Sequence, residues 1–170
     1  MLRISAVPLG AEAYRDYGDV ISARADKVPR SANMGTAKRF NSLAELVNLR
    51  PGKAEPNLCL FHCAAQISAP QTTFEIKLLE KHPLSTQTFI PMQAERYLVV
   101  VALGKGEPDL STLKAFLAAK SQGVTYRPGV WHHPLIAMDR PADFACLIWE
   151  DGTAGDCEVS KLDGPVVVEL

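Results

Sequence analysis

A chain of 170 residues, 47% hydrophobic and 22% charged, is long enough for one domain with a sizeable core. Its net charge of −1 gives no electrostatic reason to expect a nucleic acid or an anionic membrane as partner. The longest apolar run, Tyr97 to Leu103, is far too short to span a bilayer, and M-L-R-I-S-A-V-P-L-G lacks the apolar core of a signal peptide, so a cytoplasmic protein is expected.

Arg3 to Leu9 alternates weakly and reads as a first strand. Gly10 to Tyr17 suits a short helix closed by Gly18, with Asp19 to Ser22 extended after it. Residues 23 to 57 are rich in Pro, Gly, Asn and charge, and little regular structure is expected there. Within them, S-A-N-M-G-T-A-K-R-F-N-S-L-A has the composition of a functional loop. N-L-C-L-F-H-C-A-A-Q-I then reads as a strand that Pro70 breaks. Thr73 to Glu80, Thr86 to Met92 and Arg96 to Leu103 follow as strands, and Y-L-V-V-V-A-L has no polar face, which predicts burial on both sides.

G-K-G-E-P-D-L-S-T-L-K-A-F-L-A-A-K predicts the chain's main helix, with Asp109 or Ser111 as cap and Leu110, Leu113 and Leu117 at helical spacing. After Gly123 come further strands at Val124 to Tyr126, Pro134 to Met138, Phe144 to Trp149, Cys157 to Leu162 and Val166 to Glu169. Many short strands with turns between them predict one all-β domain over 1–170, a sandwich or barrel with one or two short helices. Cys59, Cys63, Cys146 and Cys157 fit no zinc-binding spacing and read as small hydrophobes in a reducing compartment. His62 reads as a satisfied core or edge histidine, and Asp109 as a helix cap.

The chemistry-bearing residues fall in two stretches. Glu80, His82 and Gln87 lie within eight residues; Glu80 and His82 share one side of a strand, and Gln87 returns on the next. Tyr126-Arg127-Pro128-Gly129-Val130-Trp131-His132-His133 presents a histidine just after a Pro-Gly turn. Glu, His, Gln and His make a mixed oxygen and nitrogen set that a divalent transition metal accepts. Arg39 suits a carboxylate, since its planar fork makes two bonds at once. Asn33, on the same loop, is a candidate hydrogen-bonding residue, and Phe89, Tyr97 and Trp131 are candidate pocket walls. Lys77, three residues before Glu80, points to the other face of a regular strand.

This spacing resembles the cupin superfamily, with Glu80 and His82 at the paired histidines of the first motif, Gln87 at its glutamate and His132 at the late histidine of the second. A longer resemblance covers nearly the whole chain. N-M-G-T-A-K-R-F, L-E-K-H-P-L-S-T-Q-T-F-I-P-M, Y-L-V-V-V-A-L-G, P-D-L-S-T-L-K-A-F and Q-G-V-T-Y-R-P-G-V-W-H-H-P-L look like the ureidoglycolate lyase family of allantoin degradation. What the resemblance implies is a cupin-like jelly-roll barrel, usually a homodimer, that cleaves (S)-ureidoglycolate to glyoxylate and urea. It also implies a divalent ion such as nickel, and no organic cofactor. Glu80, His82, Gln87 and His132 are then the expected metal ligands; without a metal, Glu80 or His132 becomes the base and His82 orients the hydroxyl or donates to nitrogen. The residues leave open another metal-dependent cupin enzyme or a non-catalytic small-molecule-binding barrel.

Overall fold

Period-two alternation through the middle of the chain builds long strands, and the computed structural model describes residues 2–23 and 26–170. In chain order the elements are β1 (Leu2–Pro8), α1 (Ala11–Tyr14), β2 (Gly18–Ile21), β3 (Arg30–Ala32), a 3-10 turn (Asn33–Gly35) and β4 (Ala37–Arg39). They continue with β5 (Glu55–Cys63), β6 (Ala65–Ile67), β7 (Thr73–Lys81), β8 (Gln87–Gln93), β9 (Arg96–Leu103) and β10 (Asp109–Ala119). The last are β11 (Gly123–Tyr126), β12 (Trp131–His132), β13 (Ile136–Met138), β14 (Ala142–Glu150) and β15 (Glu158–Glu169). Eight strands form one sheet in the order β10-β1-β15-β7-β12-β9-β13-β6, and β10 also pairs with β9, which closes a ring. A five-stranded sheet, β2-β11-β8-β14-β5, packs on it, and β3 with β4 makes a small separate hairpin. This is the expected all-β barrel.

The apolar run of β9 explains the layering. Tyr97, Val99 and Val101 face a core shared with Phe89, Tyr126, Phe144 and Cys146 of the five-stranded sheet. Leu98, Val100 and Ala102 face a second core inside the ring, with Ile76, Leu79, Trp131 and Val166. Burying a Val or Leu side chain is worth roughly 1.5–3 kcal/mol, so this strand is committed on both faces.

The expected helix after Gly104 is instead β10. It pairs antiparallel with β9, Lys114 opposite Val101 through Ala119 opposite Arg96, and parallel with β1. Leu113 and Ala115 enter the ring core while Phe116 and Ala118 enter the core between the sheets. A helix would bury one stripe; the strand buries both faces and bonds along both edges. Against that, the residues' helix propensity offers at most a few tenths of a kcal/mol each. Asp109 caps no helix: its carboxylate accepts from the Ser111 N–H (3.0 Å) and hydroxyl (2.7 Å) in a local turn.

At the N-terminus the helix is only one turn, and Gly18 opens β2 rather than ending a helix. A Cβ there would sit 1.6 Å from the Thr125 carbonyl oxygen, so the strands could not approach. Residues 23–57, expected to hold little regular structure, contain the β3–β4 hairpin, with Asn33 and Met34 in the left-handed region at its tip. Among the described residues no helix is long and apolar enough to cross a membrane.

Candidate active site

β12 is only two residues long, and it brings the two polar stretches together. His132 pairs with Glu80 of β7 on one side and Val101 of β9 on the other, so the His132 and Glu80 side chains leave the same face. His132 Nε2 lies 3.6 Å from Glu80 Oε1. His82 stands just past the end of β7, where Pro83 prevents further pairing. Its carbonyl accepts the Gly129 N–H at 2.9 Å, so the Pro128-Gly129 turn docks on the histidine it must face. Gly129 sits at φ +81°, which a side-chain-bearing residue adopts only at a cost. The two imidazoles end with centroids 5.5 Å apart, and one ligand atom each from Glu80, His82 and His132 lie within 4.8 Å of one another.

Backbone carbonyls set the tautomers. His82 Nδ1 is 2.5 Å from the Asp156 carbonyl oxygen, and His132 Nδ1 is 3.0 Å from that of Val130. A carbonyl only accepts, so each Nδ1 carries the proton and each Nε2 turns to the site. Both Nε2 atoms are buried with no protein partner, as is Gln87 Oε1. Burial and the nearby His132 push the His82 pKa below its ordinary value, despite the Asp156 carbonyl and Glu80. Burial opposes ionisation of Glu80, yet the neighbouring His132, with His82 and His133 close by, carries its pKa below the usual carboxylate value.

These groups open on a cavity of about 390 Å³ between the two sheets, lined also by Gln87, Phe89, Phe61, Cys63, Leu135 and Ile148. Among the described residues, none lining it is Arg or Lys. Buried nitrogens and oxygens without partners, converging beside a carboxylate, are the donors a divalent cation needs. The Glu80, His82 and His132 triad thus has the spacing and chemistry to hold a metal ion.

Of the six further residues expected at the site, two line the cavity and four do not. Gln87 and Phe89 line the cavity. Tyr97 does not reach it: its ring packs on Phe144, and its hydroxyl donates to the Gln122 carbonyl. Trp131, next to His132, necessarily faces the opposite side of β12, where Lys81 Nζ lies 4.4 Å over its ring. Asn33 and Arg39 are exposed on the β3–β4 hairpin, and neither lines the cavity. Lys77 points away, as expected, and pairs with Glu75. His62 is an edge-strand residue, well exposed, held 2.6 Å from Asp143. Sequence reasoning missed Tyr126, whose ring stacks on His132 at 4.0 Å and 6° and whose hydroxyl is buried without a partner. It also missed the apolar walls, because Phe61, Leu135 and Ile148 carry no polar signal.

The fold and site define a barrel in which Glu80, His82 and His132 converge, at a spacing that could hold a metal ion, beside a largely apolar cavity. The family model for ureidoglycolate lyase matches residues 1–169. Ureidoglycolate lyases from Escherichia coli O139:H28 and Shigella boydii serotype 18 are each 39% identical over 161 residues, covering 95% of this chain and 95% of theirs. This chain belongs to the ureidoglycolate lyase family. Among solved structures, a dTDP sugar isomerase from Desulfovibrio desulfuricans G20 aligns with a TM-score of 0.47 and 16% identity over 85% of each chain.

Proposed function

We propose that residues 1–170 act as one unit that cleaves (S)-ureidoglycolate to glyoxylate and urea, in the breakdown of allantoin. The convergence of Glu80, His82 and His132 within 4.8 Å, inside a cavity, carries this reading. The reacting carbon bears a hydroxyl, a carboxylate and a urea nitrogen. The hydroxyl loses its proton, its electrons form the new C=O, the C–N bond breaks, and the nitrogen takes up a proton. Glu80, kept ionised, accepts the hydroxyl proton, and the His82 lone pair orients that hydroxyl. His132 Nε2, 3.6 Å from Glu80, takes that proton up from the carboxylate and passes it to the departing nitrogen. Apolar walls keep bulk water from competing for these bonds.

A divalent ion such as nickel, held by Glu80, His82, His132 and the Gln87 amide oxygen, would supply Lewis acidity that lowers the pKa of the hydroxyl. The absence of Lys and Arg from the described cavity wall supports this assignment, since the substrate carboxylate still needs a counter-charge. The second source of charge is Arg39, exposed on its hairpin with no ion pair among the described residues, with Asn33 nearby to bond the urea group. In this reading the hairpin is delivered to the cavity by closure or by a second copy of the chain. Arg39→Ala then raises KM at least tenfold with a smaller change in kcat; an unchanged KM takes the hairpin out of the site. The same reading makes the protein a cytoplasmic homodimer, in keeping with its free cysteines.

The deciding experiment measures urea and glyoxylate released from racemic ureidoglycolate, before and after a chelator. Equal amounts of both products with no ammonia are expected, and chelator sensitivity assigns the metal. No turnover by folded protein would leave a binding barrel instead.

A further inference from the structure

His82 sits outside any strand, on the turn after β7, so the ladder does not hold its ring. The residue facing it, Asp156, is also in a loop, between β14 and β15. Such a pair would ordinarily be loose, yet Asp156 is nearly buried and its carboxylate is fully engaged. Oδ1 accepts the Leu84 N–H at 2.6 Å; Oδ2 accepts the Ser85 hydroxyl at 2.5 Å and Arg50 Nη2 at 2.9 Å. Leu84 and Ser85 follow His82 by two and three residues, so the carboxylate grips the very turn that carries the histidine. Arg50 is itself fixed, through Nη1 to Asp151 at 2.6 Å and Nη2 to the Trp149 carbonyl at 3.1 Å. The main-chain carbonyl of the same Asp156 then takes His82 Nδ1–H at 2.5 Å.

We infer that Asp156, locked by Arg50, Ser85 and the Leu84 amide, is the positioning residue that holds His82 in the Nδ1–H tautomer with Nε2 facing the cavity. Asp156 touches no reacting group; it acts through the histidine. Charge-assisted bonds to a buried carboxylate are short and directional, which suits a clamp better than a neutral side chain would. Outer-shell partners of this kind typically change metal affinity 10–100-fold when removed. The inference rests on the reading of His82 as a site residue, but its first readout needs neither substrate nor metal.

The test is a long-range proton–nitrogen correlation spectrum of the histidine rings in the metal-free protein, on wild type, Asp156→Ala, Ser85→Ala and Asp156→Asn. Ser85→Ala removes a single bond and guards against loss of the fold in Asp156→Ala, with thermal melts checking both. Wild type is expected to show His82 as the Nδ1–H form. Asp156→Ala and, to a lesser degree, Ser85→Ala should mix the tautomers, and Asp156→Asn, which keeps an oxygen for Leu84, should recover part of the wild-type signal. Nickel affinity by calorimetry should fall 10–100-fold in Asp156→Ala. A wild-type His82 protonated at Nε2, or folded Asp156→Ala and Ser85→Ala proteins with an unaltered tautomer, would overturn the inference. A fixed tautomer that these substitutions release, in a protein that neither binds nickel nor cleaves ureidoglycolate, would support the inference while removing the proposed function.

Discussion

His132 and Glu80 meet because they occupy one register position, and their chemistry follows from that placement. Replacing Glu80 with Gln keeps the shape but removes the charge proposed to accept a proton or bind a cation. We expect kcat/KM for ureidoglycolate to fall by about 10²–10⁴, the range for losing a positioned acid or base, in steady-state assays with the melting temperature little changed. The histidines also tie stability to pH. Burial lowers the pKa of both His82 and His133, so as pH falls below about 6.5 the unfolded chain takes up protons before the folded one does. Stability is therefore full above that pH and declines below it, toward the lower folded-state values. Melting temperatures measured from pH 7.5 to 5.5 should fall, and His133→Gln should flatten part of the slope.

Among elements, β10 teaches most. Phe116 is fully buried and meets Tyr14 edge-on at 5.5 Å, in a position that exists only if this segment is a strand. Phe116→Ala should cost about 3–5 kcal/mol in urea denaturation, as for other large-to-small core changes. The sequence misled here because Leu110, Leu113 and Leu117 satisfy helical spacing, whereas the paired edges of β1 and β9 lie far away along the chain and leave no local trace. β7, β8 and β9 were legible because their alternation or unbroken apolar runs report burial directly. Glu80, His82, Gln87 and His132 were legible for a related reason: their spacing about two turns sets which face they share. β12 was not, since two residues have no period, and its place is set wholly by the neighbours that bracket it. Tyr97 and Trp131 marked candidate walls by residue type alone; parity along β9 and β12 decides where such rings go.

At the scale of the molecule, the outer face of the five-stranded sheet is unusually apolar. Leu60 and Ile90 both lie opposite Ala145, and Leu58 lies opposite Leu147, so they share one face; Leu58 is 73% and Leu60 59% exposed. We propose this surface as the homodimer contact; Tyr97 through Ala102 are buried within the protomer and offer none. Leu60→Lys with Ile90→Lys should convert a dimer to a monomer in sedimentation velocity; a wild type that is already monomeric would refute the assignment. The double role of β9 has a further effect. Its even-numbered residues belong to the ring core and its odd-numbered ones to the core beside the cavity, so two interiors share a single wall. Both interiors hold the fold together, but only the one on the odd-numbered side also walls the cavity, so a change there reaches the site as well as the stability.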